Sequence, residues 1–119
     1  MSTRRQETAR KGERVAEEHL AAACFVRVAR NLRVGSHEAD LVVRDPDGET
    51  LVVVEVKTRT TGGSWPEERI DRVKLRHLAR IVRTLASRTR RPTAWRVDAV
   101  GVTLVEGEPP VIVHHRNVV

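Results

Sequence analysis

The sequence predicts an α/β domain, a mixed central sheet flanked by helices on its faces, with elements in the order αβββαββ. Three observations predict it. Two long segments, residues 3–23 and 66–87, carry apolar residues at helical spacing. Valine-rich runs are punctuated by the turn signals Gly35-Ser36, Asp45-Pro46-Asp47-Gly48 and Glu106-Gly107-Glu108-Pro109. The run Leu51-Val52-Val53-Val54 is as apolar as a strand covered on both faces.

Ser2 or Thr3 can N-cap the first helix, which is rich in Ala and Glu, lacks Pro and reaches about Ala23. At roughly 100° per residue its core face holds Ala9, Ala16, Leu20 and Ala23. Glu13 falls among them, while Glu7, Glu17 and Glu18 look outward or lie at the edge. Phe25 to Val34 alternates loosely and reads as the first strand, and Gly35-Ser36 turns the chain into a second, His37 to Arg44. The Asp45-Pro46-Asp47-Gly48 turn leads into a third, Glu49 to Lys57. Thr60 to Ser64 is a loop. The second helix starts near Pro66, a residue suited to a first turn, and runs to about Ser87, before Arg90-Arg91-Pro92. Thr93 to Leu104 and Pro110 to Arg116 complete the strands.

A chain of 119 residues is expected to form one domain, residues 1–119. Cys24 alone cannot make an intramolecular disulfide, which suits a reducing cytoplasm. The segment Met1 to Gln6 leads into charged residues instead of an apolar signal core, and no apolar stretch approaches the roughly 18 residues of a membrane span. The expectation is a soluble cytoplasmic protein without a membrane partner. The net charge of +6, from 22 basic and 16 acidic residues, favours a polyanionic partner. Only Lys11, Lys57 and Lys74 are lysines, an arginine bias that a GC-rich genome also produces.

The placement of charge is more specific than its sum. Glu55 and Lys57 end the apolar third strand and share one of its faces, opposite Val52, Val54 and Val56. Burying an unpaired charge is costly enough that the group usually neutralises. The pair therefore salt-bridges to itself, caps the sheet or holds something charged. Asp40, a poor strand residue, precedes Leu41-Val42-Val43, and the hairpin brings it near Glu55. Two close carboxylates need a cation between them or a shifted pKa. With a lysine nearby they form a hard, oxygen-rich site suited to Mg²⁺ or Mn²⁺ and to phosphodiester hydrolysis.

On the second helix Ile70, Leu75, Leu78, Ile81, Val82 and Leu85 form the core face, with Lys74 near its middle. That lysine either snorkels out or meets a carboxylate. Arg69, Arg72, Arg76, Arg80 and Arg83 gather on the opposite side, either a solvated face or a phosphate-tracking surface. Glu13 reads either as a boundary residue reaching solvent or as part of the site.

Asp40 followed by Glu55-x-Lys57, with Glu13 in a preceding helix, resembles the PD-(D/E)xK nuclease superfamily, especially archaeal Holliday-junction resolvases. More narrowly, a longer ordered set is similar to the YraN-like uncharacterised family. That set is Gly12-Glu13, Ala16, Arg30-Asn31-Leu32-Arg33, Glu38-Ala39-Asp40-Leu41, Val54 to Arg59, Lys74 and Arg96-Val97-Asp98-Ala99-Val100. The resemblance implies a restriction-endonuclease-like three-layer αβα core with the site at the sheet's rim. It implies that Asp40 and Glu55 ligate Mg²⁺ with the Val56 carbonyl, and that Glu13 completes the site or holds a second ion. It further implies that Lys57 orients or deprotonates the attacking water, and that Lys74 reaches the phosphate or tethers a carboxylate. One departure stands out: the family's Gly-Glu-x-Asp string is here Gly35-Ser36-His37-Glu38-Ala39-Asp40, which loosens the turn before Glu38.

The expected function is a Mg²⁺-dependent endonuclease acting on DNA, on branched or repair intermediates, and symmetric cutting of two strands would call for a homodimer. The alternative is a non-catalytic nucleic-acid-binding module on the same scaffold; a third reading is a protein-interaction domain. Trp65 is the better aromatic for substrate contact and Trp95 suits packing. His114 and His115 face opposite ways on a strand and make no zinc pair. Asp98 reads as a structural partner for an arginine.

Overall fold

The computed structural model describes residues 3–60, 72–89 and 94–118, apart from the side chain of Arg72. The elements are α1 (Arg4–Ala22), β1 (Val26–Val34), β2 (His37–Arg44), β3 (Thr50–Thr60), α2 (Arg72–Ser87), β4 (Ala94–Leu104) and β5 (Val111–His115). The order is the expected αβββαββ. The start of the second helix near Pro66, the loop before it and the segment Arg90-Arg91-Pro92 lie outside the described residues.

The strands form one sheet in the order β1-β2-β3-β4-β5. Pairing is antiparallel except between β3 and β4, which run parallel and are joined through α2. A parallel pair requires such a crossover, because a tight turn can only reverse the chain. Both hairpins close as their sequences demand. Gly35 and Gly48 take the positive φ values of 61° and 77° that their turns require. Asp47 Oδ1 accepts the N–H groups of Glu49 and Thr50, which anchors the second turn.

Alternation along β3 builds two cores. Val52 and Val54 pack with Ala16, Leu20 and Phe25 on the α1 side. Val53 packs with Leu78 and Ile81 on the α2 side. The result is a three-layer αβα arrangement, as expected. No helix among the described residues is long and apolar enough to cross a membrane.

Thr3 is the N-cap of α1 and forms a capping box with Gln6. The buried positions of α1 are Gly12, Ala16 and Leu20, with Val15 packed beside them. Ala9 and Ala23, expected on the core face, are exposed. Ala23 has left helical geometry as the C-cap, and Ala9 lies N-terminal to the first buried position, Gly12. At Gly12 the helix meets β3 directly: a methyl group there would overlap the hydroxyl, methyl and Cβ of Thr58. Glycine normally weakens a helix by about 1 kcal/mol relative to alanine. Here the sign reverses. Gly12→Ala is expected to destabilise the fold by about 1–3 kcal/mol, the usual penalty of overpacking around a stiff β-branched neighbour. An unchanged urea midpoint would show that Thr58 gives way freely.

Candidate active site

The β2–β3 ladder ends at the pair Leu41↔Val54. The next position would set Asp40 opposite Glu55. The strands part there, and the Asp40 carboxylate enters the gap to accept the Val56 N–H at 2.9 Å. A side chain thus replaces the strand carbonyl that would otherwise hold that amide, which fixes Asp40 beside the middle of β3. The hairpin register brings the two acidic positions together, and pairing ends just before them.

Glu55 is 4 % exposed. Its Oε1 lies 3.7 Å from Lys57 Nζ and 3.5 Å from Lys74 Nζ. Lys57 reaches it from the same face of β3, and Lys74 from α2, so the lysine on the helix core face meets a carboxylate. Its other oxygen, Oε2, is buried with no hydrogen-bond partner among the described residues. Burial, then the neighbouring Asp40 charge, push the Glu55 carboxyl up to about 7, against the pull of Lys74 and Lys57. Asp40 is also raised, by burial first, although the Val56 amide and Lys74 hold it down. Two adjacent carboxylates that resist ionisation, one with an orphaned oxygen, are chemically suited to a hard divalent cation.

Glu13 stands on α1 next to the Gly12–Thr58 contact. It shares a pocket of about 230 Å³ with Asp40, Arg10, Arg14 and Arg30. Its carboxyl is raised by burial and then by the charges of Asp40 and Glu38, partly offset by Arg10. Glu13 thus feels the charge of Asp40, yet no three Asp, Glu, His or Cys groups converge into a metal cage among the described residues. Asp40, Glu55, Lys57 and Lys74 are brought together; Glu13 borders them. Glu38 instead faces Arg33 across the β1–β2 hairpin at 3.6 Å.

One feature of the neighbourhood escaped the sequence reading. His37, three residues before Asp40, stacks on His77, three residues after Lys74, with ring centroids 4.1 Å apart and planes at 25°. The helical spacing of His77 from Lys74 was the available signal; nothing in sequence pairs it with His37. Trp65 and Arg69 lie outside the described residues. Trp95 packs partly buried in the α2-side core.

Asp98 is fully buried and does partner an arginine. Arg96 donates to it through Nε at 2.9 Å and Nη2 at 3.2 Å. The Asn117 N–H donates at 3.0 Å, and His114 Nε2 lies 2.7 Å away. Arg96 also pairs with Asp45 of the hairpin at 2.8 Å. Asp98 pairs in register with Val54 and therefore faces α1, away from Glu55. His114 is thus committed to a carboxylate, while His115 is exposed.

Comparison with known proteins identifies a family. Residues 12–102 match the family described as "Uncharacterised protein family UPF0102". A UPF0102 protein of Mycolicibacterium smegmatis is 36 % identical over 115 residues, covering 95 % of this chain and 93 % of that protein. One of Beutenbergia cavernae is 41 % identical over 109 residues, 90 % of this chain and 91 % of its own length. One of Anaeromyxobacter dehalogenans is 40 % identical over 109 residues, 90 % of this chain and 80 % of its own. With a family match over most of its length and relatives of this identity, the chain belongs to the UPF0102 family.

Proposed function

We propose that this protein is a Mg²⁺-dependent endonuclease, with Mn²⁺ able to substitute, that hydrolyses DNA phosphodiester bonds in branched or repair intermediates. The observation that supports it best is Glu55: a buried carboxylate with one oxygen unpartnered, beside Asp40 and flanked by two lysines. A purely structural salt bridge would satisfy both oxygens, since an unpaired buried polar atom is destabilising.

In this reading Asp40 and Glu55 would hold the ion with the Val56 carbonyl, and Glu13 would complete the site from α1. When bound, the ion supplies Lewis-acid stabilisation of the negative charge that develops on the phosphate. Lys57, about half exposed at the rim, orients the attacking water and stabilises that charge. Lys74 tethers Glu55 and extends toward the phosphate. The function would be exercised in the cytoplasm, and a second copy would supply the second site for symmetric junction cleavage.

The test is cleavage of nicked, flapped and four-way-junction DNA in Mg²⁺ or Mn²⁺. Wild type is expected to cut at least one of them, and Asp40→Ala to lose that activity. Identical trace cleavage by both proteins would mark it as contamination and remove the enzyme claim.

A further inference from the structure

The β1–β2 turn and α2 line an open pocket of about 470 Å³, bordered among others by Ser36, His37, Arg80, Arg83, Thr84 and Arg88. Arg80 and Arg83 thus border a concavity rather than only the solvent side of a helix. None of the described lining residues is acidic. None of the three arginines forms an ion pair with a described residue. Guanidinium groups present paired donors that match a phosphate, and two hydroxyl-bearing residues, Ser36 and Thr84, add donors of the same kind.

His37, which lines this pocket, lies three residues before Asp40 on β2. His37 stacks on His77, and the two rings are carried by the same two elements that carry Asp40 and Lys74. His37 is held below its ordinary pKa by desolvation and then by the nearby charges of His77, Arg80 and Lys74. At about 1.5 Å per residue, Arg80 and Arg83 lie about 9 and 14 Å along α2 from Lys74.

We propose that this pocket is a backbone-phosphate subsite holding the cleaved DNA strand to one side of the scissile bond. The assignment rests on the nuclease reading above and gives it a direction, along α2 from Lys74 toward Arg88. The stripe of arginines then divides by role: Arg80 and Arg83 grip the strand in the pocket with Ser36 and Arg88.

The experiment measures binding of a short fluorescein-labelled DNA duplex by anisotropy, in EDTA, across about 50 to 200 mM salt. Arg80→Ala/Arg83→Ala is compared with the charge-matched Arg44→Ala/Arg116→Ala, which removes two exposed arginines that do not line the pocket. The subsite predicts that the slope of log K against log salt becomes shallower by about 2 in the first variant and stays at the wild-type value in the second. Should the alanine pair fail to fold, Arg80→Gln/Arg83→Gln carries the same expectation. Equal slopes for the two variants, with wild type still binding, overturn the subsite and leave the nuclease reading standing. Absence of salt-dependent binding by wild type overturns both.

Discussion

Lys57→Ala is expected to slow metal-dependent DNA cleavage by about 10²- to 10³-fold under single-turnover conditions, the usual effect of removing one group that stabilises developing charge. The side chain sits where that loss should fall on the chemical step. Its ammonium lies 3.7 Å from Glu55 Oε1, at ion-pair distance but too long for a hydrogen bond, and is partly exposed at the rim. It is therefore held near the carboxylates without being consumed by them. Glu55 keeps a second cation, Lys74 at 3.5 Å, so losing Lys57 does not strand a buried charge. Folding and DNA affinity should change little, since one exposed cation contributes at most one phosphate contact. A large loss of affinity with an unchanged rate at saturating enzyme would make Lys57 a binding residue and move the chemistry elsewhere.

Asp98→Ala is expected to destabilise the protein by about 3–5 kcal/mol, a large share of the 5–15 kcal/mol available to a typical domain. The reason is what remains behind. Arg96, only 19 % exposed, would lose two hydrogen bonds and keep only Asp45, while His114 and the Asn117 amide would lose their acceptor. The network joins β4 to the β2–β3 hairpin and to the segment after β5, so its loss loosens three elements together.

The pH dependence has a definite sign. Burial alone would raise the Asp98 carboxyl, but the Arg96, Asn117 and His114 contacts outweigh it and hold the carboxyl below its ordinary value of 3.8. A depressed folded-state pKa contributes stability that is fully present above the ordinary value and is lost as pH falls through the lower folded one. The stability difference between wild type and Asp98→Asn should therefore be flat above about pH 4 and shrink below it. Urea midpoints at stepped pH measure this directly. A destabilisation of Asp98→Ala below about 1 kcal/mol would show that the surrounding groups find water instead.

Much of the fold was legible because its signals are local. Turn residues needing positive φ, the capping residue Thr3 and the period of the apolar positions all act within a few residues of chain. They placed seven elements with small errors, such as β3 extending to Thr60 rather than Lys57. The approach of Asp40 to Glu55 was legible for the same reason, since a tight hairpin leaves little choice of register. Lys74 was legible because a lysine in an apolar stripe must find a partner or leave.

What depended on separate elements meeting in space could not be read this way. Ala9 and Gly12 both lie on the inner side of α1, but only the approach to Thr58 decides that Gly12 is buried and Ala9 exposed. His37 and His77 are forty residues apart in sequence and stack only because β2 and α2 pack together. The sequence by itself determined the element order, the alternating faces of β3 and the approach of Asp40 to Glu55, through short-range sterics and hairpin register. Only the tertiary structure decided that Glu55 keeps a buried oxygen without a partner among the described residues, that Glu13 shares a pocket with Asp40, and that three arginines share another. Those outcomes depend on distances between layers, and a one-dimensional pattern of apolar and charged residues contains no measure of them.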